Sequence, residues 1–295
     1  MTKDQTPPDR RSVLRFIAFL GAAATAGLLL PEGSILPRTG TSKSGASRTA
    51  ALTAGAGGPG PAGGPPMAAG QAVRASAYRL EPMTAHPPGP RRALPPVRRR
   101  PFHRLPESTG RTMVLTFDDG PDPRYTPAIL RTLRRYDVRA MFFVCGEMVT
   151  VHRDLLREIA DDGHVIGNHS WSHPLIPRLA PSAIRDELGR TSEVIEEVSG
   201  LPPLWYRAPF GAWNRHSFEI GAELGMEPLA WTVDTLDWTE PGAGTIVSRV
   251  LDGAGPGVVV LSHDAGGDRS QSVAALRNYL PKLLEDGYRL TVPRR

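Results

Sequence analysis

The chain has 295 residues and a formal net charge of +5, but the charge is unevenly distributed. Residues 1–111 carry 16 basic and 5 acidic side chains, which leaves a net charge of −6 for residues 112–295. A nucleic-acid-binding protein needs its basic residues clustered on a folded surface, and the densest group of arginines here, between residues 91 and 104, lies among prolines instead. The single cysteine, Cys145, excludes an intrachain disulfide framework and a cysteine-rich metal site.

The first predicted element is an export signal within residues 1–35. Arg10 and Arg11 precede an apolar stretch from Phe16 to Leu30, which is the charge and hydropathy pattern of a signal peptide. As a helix this stretch would span roughly 22 Å, less than the roughly 30 Å hydrocarbon core of a bilayer. The paired arginines resemble a twin-arginine signal, although a plain secretory signal and an uncleaved membrane anchor stay open. We therefore predict an exported protein that is extracellular or associated with the cell wall.

Residues 36–110 are dominated by glycine, alanine, proline and serine. Because such a segment offers too little apolar surface to offset the entropy of ordering its backbone, it predicts a disordered tether. Six arginines between residues 91 and 104 lie among prolines, which favours a solvated linker. The alternative is a loose electrostatic association with anionic wall polymers or a membrane surface.

From residue 111 onward, short apolar runs alternate with amphipathic stretches. The predicted strands are Met113–Phe117, Ala140–Val144, His164–Gly167, Leu204–Arg207, Leu229–Val233, Val258–Leu261 and Arg289–Val292. The predicted helices are Thr126–Tyr136, Arg153–Asp161, Ser182–Val198, Arg215–Leu224, Thr245–Leu251 and Gln271–Glu285. This alternation predicts an α/β domain over residues 111–295 with a parallel sheet, open or closed into a barrel. Seven strands predict a small, incomplete barrel.

Two motifs at strand ends carry metal-binding residue types. The neighbouring carboxylates of Asp118 and Asp119 follow the first strand, so one can bind a metal while the other stays free as a base. His169 and His173 follow the third strand and share one face if the segment makes a helical turn. Together with Asp119 they offer one oxygen and two nitrogens, the open ligand set of a catalytic metal site.

Three further polar clusters also end predicted strands. They are Tyr206–Gly211, Trp231–Trp238 and Leu261–Asp264. In a parallel α/β barrel the loops after the strands converge at one face, where active sites are built. Asp234 and Asp264 are interpreted as either partners of the site residues or turn residues.

With these five motifs in order, residues 111–295 resemble the polysaccharide deacetylase family, also called the NodB-homology carbohydrate esterases. The resemblance implies a distorted (β/α) barrel and metal-dependent removal of N-acetyl groups from N-acetylglucosamine-containing polysaccharide, with release of acetate. Peptidoglycan, a chitin-like polymer and exopolysaccharide are the candidate substrates. The alternatives are an O-acetyl esterase acting on a xylan-like glycan and a catalytically silent carbohydrate-binding module. The His-Glu-x-x-His pattern of common zinc peptidases is absent.

The resemblance also implies a role for each site residue. It makes Asp119, His169 and His173 the ligands of a divalent metal, in the first place Zn²⁺, with Co²⁺ or another ion open. It makes Asp118 the general base held by Arg207, and His263 the general acid oriented by Asp237. Phe210, Trp238 and Leu261 become substrate-binding residues, Phe210 through its backbone N–H. The implied partner is a polysaccharide, no nucleic acid is expected, and we expect a monomer.

Overall fold

The computed structural model describes residues 93–105 and 110–293, so the predicted signal at 1–35 and most of the predicted tether lie outside the described residues. The strands are β1 (Thr112–Asp118), β2 (Met141–Val144), β3 (Val165–Asn168), β4 (Trp205–Tyr206), β5 (Glu227–Pro228), β6 (Val233–Asp234), β7 (Val259–His263) and β8 (Arg289–Leu290). The helices are α1 (Thr126–Arg135), α2 (Gly146–Val151), α3 (Arg153–Asp161), α4 (Pro181–Ser199), α5 (Arg215–Glu223), α6 (Ala243–Asp252) and α7 (Ser270–Glu285). Within the described part of the chain, no helix has the length and apolar character needed to cross a membrane.

The strands form a curved half-barrel in the order β5-β4-β3-β2-β1-β7-β6, and β8 pairs with the amino end of β1. Every pairing between these strands is parallel. Asp118 lies in register with Phe143 on β2 and with His263 on β7, so the carboxyl end of β1 lies at the centre of the sheet's carboxyl edge. The predicted α/β fold with an incomplete barrel is confirmed.

The central strand β1 has two buried faces with different partners. Met113, Leu115 and Phe117 pack against the helices in the outer core. Because side chains alternate along a strand, Val114 faces the inside of the half-barrel, where it packs with Phe143 and other apolar residues. Thr116 and Asp118 continue that inner face toward the carboxyl end, so polar groups lie directly above an apolar floor.

The segment 93–105 packs on this domain, in contrast to the predicted linker that extends to residue 110. The Phe102 N–H donates to the Pro228 carbonyl oxygen (2.9 Å), and the Leu105 N–H donates to that of Gly257 (2.8 Å). Leu105 is buried in the inner core, and Arg98 forms two hydrogen bonds of 3.0 Å to the Glu227 carboxylate. Apolar residues that stand among prolines and arginines in this segment thus pack against the inner core of the half-barrel.

The predicted strand Leu229–Val233 is replaced by two short strands at opposite edges of the sheet, β5 and β6. The physical reason is that the buried Arg207 side chain takes the main-chain carbonyls between them. Its Nε donates to the Leu229 oxygen (3.0 Å) and its Nη2 to the Ala230 oxygen (2.9 Å). These carbonyls therefore do not continue a strand ladder, and the chain crosses the open side of the half-barrel.

Candidate active site

All five motifs lie at the carboxyl end of the sheet, as parallel strand topology predicts. Asp118 ends β1, and His263 ends β7. His169 directly follows β3, and Arg207 directly follows β4. Asp237 begins a short 3-10 turn, Asp237–Thr239, after β6. The structure thus brings the predicted acids, bases and candidate ligands to one edge.

Asp119 and the two histidines form a cluster with the geometry of a metal site. The Asp119 Oδ1 atom is 3.4 Å from the Nε2 atoms of both His169 and His173. It is buried and has no hydrogen-bond partner among the described residues. Tetrahedral Zn²⁺ with bonds of about 2.0–2.2 Å holds its ligand atoms about 3.3–3.6 Å apart, so this donor set, whose three atoms lie within 4.8 Å of one another, fits a divalent cation.

The pKa shifts of Asp119 and His173 also favour the protonation states that metal ligands need. Burial disfavours the Asp119 carboxylate, but the neighbouring His169, His263 and His173 outweigh it and lower its pKa below the ordinary value. Burial lowers the pKa of His173 despite the attraction of Asp119. At neutral pH the carboxylate is therefore charged and the imidazole is neutral, which are the forms that bind a metal.

A hydrogen bond fixes the orientation of the His169 ring. Its Nδ1 atom is 2.9 Å from the Arg207 carbonyl oxygen. Because a carbonyl can only accept, Nδ1 carries a proton, which leaves Nε2 as the ring nitrogen that faces Asp119. This is the outer contact that metal-binding histidines usually make.

Asp118 is held by the most buried charged side chain of the site. Arg207 is fully buried, and its Nη1 donates to Asp118 Oδ1 at 2.7 Å and to Thr116 Oγ1 at 2.8 Å. Burial lowers the pKa of Arg207, while Asp118 opposes that shift. The other carboxylate oxygen, Asp118 Oδ2, lies 3.7 Å from His169 Nε2 and so faces the Asp119 cluster.

His263 and Asp237 form a buried charge pair on the β7 side of Asp118. His263 Nδ1 donates to Asp237 Oδ1 (2.7 Å), while the His263 backbone N–H and the Ser272 hydroxyl donate to Oδ2 at 2.9 and 2.6 Å. Burial disfavours the imidazolium, but Asp237, Asp119 and Asp118 outweigh it and raise the pKa of His263 to about 9. His263 is therefore protonated at neutral pH.

The three predicted substrate-binding residues surround this cluster. Phe210 is 59% exposed, and its ring packs edge-on against that of His173 at a centroid distance of 4.6 Å. Trp238 belongs to the same 3-10 turn as Asp237 and is partly exposed. Leu261 is buried on β7 in register with Thr116. Phe210 and Trp238 are thus partly exposed at this edge, whereas Leu261 is buried.

The two histidines are brought together by a loop and not by the helical turn that their spacing predicted. Ser170 and His173 have positive φ angles of 69° and 57°, and residues 169–173 contain no helix. Asp119 and Phe210 are also left-handed, with φ of 77° and 60°. Such conformations cost energy in residues other than glycine.

Sequence reasoning missed the partners of these residues. Thr116 and Ser272 hydrogen bond to Arg207 and Asp237, but a lone hydroxyl residue gives no distinctive spacing. Asp264, which the sequence alone allows to be a partner of a site residue or a turn residue, is buried against the Asp119 loop. Its carboxylate accepts a 2.5 Å hydrogen bond from the Thr126 hydroxyl. Burial raises the pKa of Asp264 to about 7.

Known proteins resemble the chain in this region. A family model described as polysaccharide deacetylase matches residues 106–229. A peptidoglycan-N-acetylglucosamine deacetylase of Bacillus cereus is 37% identical over 183 residues, covering 61% of this chain and 66% of that protein. A chitooligosaccharide deacetylase of Rhizobium leguminosarum bv. trifolii is 36% identical over 194 residues, covering 62% of this chain and 90% of that protein.

A solved structure is also similar. The crystal structure of a peptidoglycan N-acetylglucosamine deacetylase, in complex with a small molecule, has a TM-score of 0.63 and 35% identity. The match covers 64% of this chain and 89% of that one. By length, the chain spans just under two thirds of the Bacillus cereus relative and 37% of two other peptidoglycan deacetylases that it matches.

Proposed function

The chain belongs to the polysaccharide deacetylase family, and from this premise we propose that it is a metal-dependent N-deacetylase of N-acetylglucosamine-containing polysaccharide. The reaction adds water to the acetamide carbonyl, breaks the C–N bond, and releases acetate and a sugar amine. The observation that carries the proposal is the Asp119 Oδ1 atom at 3.4 Å from two imidazole nitrogens, beside one carboxylate and one protonated histidine.

Asp119, His169 and His173 would hold the cation, for which we propose Zn²⁺. A divalent ion at this site supplies Lewis acidity, which lowers the pKa of water and stabilises negative charge on the carbonyl oxygen. The chain's part is to present one charged oxygen and two imidazole nitrogens. The His169–Arg207 hydrogen bond leaves Nε2 of His169 facing the site, and burial favours the neutral form of His173.

Asp118 is the proposed general base. Arg207 occupies its Oδ1 with a 2.7 Å bond, which leaves Oδ2 facing the Asp119 cluster. An ionised carboxylate is only an acceptor, so Oδ2 can take the proton of an attacking water. Proton transfer to a positioned group of this kind contributes about 10²–10⁴-fold to a rate.

His263 is the proposed general acid. The amine is a poor leaving group unless it is protonated as the C–N bond breaks. Because Asp237 keeps His263 protonated through a 2.7 Å bond to Nδ1, the proton on Nε2 is available for that nitrogen. The Phe210 N–H is the proposed donor to the oxyanion, which is worth about 3 kcal/mol in comparable sites.

The substrate class rests on the named relatives and on the exposed aromatic rings. The similar proteins are described as acting on peptidoglycan and chitooligosaccharides, and we propose peptidoglycan first. Leu261 and Trp238 are the proposed walls of an acetyl pocket. We also propose that the protein is exported and acts at the cell wall as a monomer, with a signal at 1–35, a linker, and a catalytic domain that begins near residue 93.

Two neighbouring substitutions test the assignment of roles. Asp118→Asn keeps the three proposed ligands, so it should retain the metal while acetate release falls by about 10²–10⁴-fold. Asp119→Ala removes a ligand, so it should lose metal affinity and regain part of its activity in excess Zn²⁺. Asp161→Asn, which changes an exposed carboxylate on α3, serves as the matched control.

The measurements are bound metal by elemental analysis and acetate released from peptidoglycan and from N-acetylglucosamine oligomers. Loss of metal in Asp118→Asn with retention in Asp119→Ala would mean that the two roles are reversed. An unmodified chain that binds Zn²⁺ but releases no acetate from any acetylated glycan would rule out the proposed activity.

A further inference from the structure

The loop between β7 and α7, residues 264–269, surrounds the buried side chain of Arg269. Arg269 is only 2% exposed, and its side chain donates to three main-chain carbonyls of its own loop. Nε donates to Ala265 (2.7 Å), Nη2 to Gly266 (2.8 Å) and Nη1 to Asp268 (3.0 Å). Burying a guanidinium is costly, and these bonds satisfy it only when the loop is folded around it. Arg269 therefore fixes the path of residues 265–268.

That path brings the backbone of Gly266 against the Asp119 carboxylate. Gly266 has a φ of 76°, and a Cβ atom built on it would lie 2.6 Å from Asp119 Oδ2. The other oxygen, Oδ1, is the one that faces the two imidazoles. Close packing on Oδ2 thus restricts the rotation of the Asp119 carboxylate and the angle at which its other oxygen faces the histidines.

Asp264, the first residue of this loop, contacts the residues on both sides of Asp119, namely Asp118 and Gly120. The Asp264 N–H donates to the Asp118 carbonyl oxygen at 3.1 Å. Its carboxyl group packs against Gly120 so closely that a Cβ there would lie 2.3 Å from it, and it accepts the Thr126 hydroxyl. The loop therefore contacts residues 118, 119 and 120 in turn.

We propose that Arg269 is a positioning residue for the metal site and acts on Asp119 through the backbone of Gly266. The inference rests on the proposed function, because it takes Asp119 to be a metal ligand. Because all three guanidinium nitrogens of Arg269 bond to carbonyls of its own loop, its proposed effect is on the affinity and geometry of the site. Outer contacts of this kind usually change metal affinity about 10–100-fold.

The test measures Zn²⁺ affinity by competition with a chromogenic chelator, on the full chain, together with the absorption spectrum of the Co²⁺ form. Arg269→Lys retains the charge but cannot make three fixed bonds. Gly266→Ala leaves Arg269 intact and adds a methyl group against Oδ2. Gly287→Ala is the matched control, because Gly287 has a similar φ of 79° and nothing within 4 Å of an added Cβ.

We expect Arg269→Lys and Gly266→Ala each to weaken Zn²⁺ binding about 10–100-fold and to change the Co²⁺ spectrum, while Gly287→Ala binds Zn²⁺ like the unmodified chain. If Arg269→Lys does not fold, unchanged Zn²⁺ affinity in Gly266→Ala would by itself overturn the inference, because the proposed route to Asp119 passes through Gly266. Unchanged Zn²⁺ affinity and an unchanged spectrum in folded variants, with only the melting temperature lowered, would overturn the inference. If the unmodified chain binds no Zn²⁺, the proposed function fails first, and this inference fails with it.

Discussion

Neutralising Asp237 should move the alkaline limit of the reaction. Asp237 is fully buried and accepts the His263 Nδ1–H at 2.7 Å, and the pKa of His263 is raised from 6.5 to about 9. A difference of that size between the two protonation states corresponds to about 3 kcal/mol. In Asp237→Asn the side-chain oxygen can still accept hydrogen bonds from the backbone N–H of His263 and from the Ser272 hydroxyl. The amide NH₂ group then faces Nδ1 of His263. Such an arrangement favours the neutral imidazole.

The expected magnitude follows from the protonated fraction of the acid. With a pKa of about 9, His263 is about 90% protonated at pH 8; with its ordinary value of about 6.5 the fraction is about 3%. Acetate release at pH 8 should therefore fall about 30-fold. At pH 6 it should fall much less, because the acid is then largely protonated in both proteins.

The assay is the pH dependence of kcat/KM for acetate release, with bound metal measured in parallel. Ser272→Ala is the matched control, since it removes one 2.6 Å bond to the same carboxylate but keeps the charge; its alkaline limb should move by less than about one unit. An Asp237→Asn profile whose alkaline limb stays near the unmodified one would refute the assignment of His263 as an acid charged by Asp237.

Three further outcomes are expected. A chain beginning at residue 111 lacks Phe102 and Leu105, whose burial is worth about 3 kcal/mol together, so it should melt about 10 °C below one beginning at residue 93; equal melting temperatures by circular dichroism would contradict this. Burial lowers the pKa of His164 to about 4. As the pH falls, this histidine is therefore protonated in the unfolded chain at a higher pH than in the folded chain. The stability contributed by His164 is therefore complete above pH 6.5, and up to about 3 kcal/mol is lost as the pH falls to 4. His164→Asn, which keeps an acceptor for the Ala140 N–H, should flatten that part of the urea-unfolding profile. Arg207→Lys cannot serve both the Leu229 and Ala230 carbonyls and should lower unfolding stability by about 2–4 kcal/mol, whereas an unchanged urea midpoint would contradict that bonding role.

Strand topology explains why the main site residues could be predicted. Asp118, His169 and His263 each end or follow a short apolar run, and the carboxyl ends of parallel strands meet at one edge whatever the intervening helices do. The same reasoning could not foresee how His173 reaches Asp119, because left-handed residues at 170 and 173 leave no periodic pattern.

Other features stayed hidden because they depend on distant main-chain groups. Arg207 interrupts a strand by binding two carbonyls beyond β5, and Arg269 acts on carbonyls of its own loop. Neither arrangement requires a recognisable side-chain partner at a fixed spacing. The packing of segment 93–105 could not be predicted for a related reason. Its few apolar residues are too dispersed to form a periodic pattern, yet Leu105 is buried.

Residues with left-handed backbone are concentrated in the loops at the carboxyl edge of the sheet, called the catalytic edge below. Seven non-glycine residues in the described structure have positive φ, and six of them lie in the loops of the catalytic edge. The exception is Asp137, an exposed residue after α1, where glycine is the usual choice. Replacing Asp137 by glycine relieves strain without touching the site, whereas the same relief at residues 119, 170, 173, 210, 236 or 240 would relax the loops that hold the reacting groups. Thermostability and turnover should therefore trade off at the catalytic edge and be separable elsewhere, so selection for heat resistance alone should accumulate changes first on the helical side of the domain.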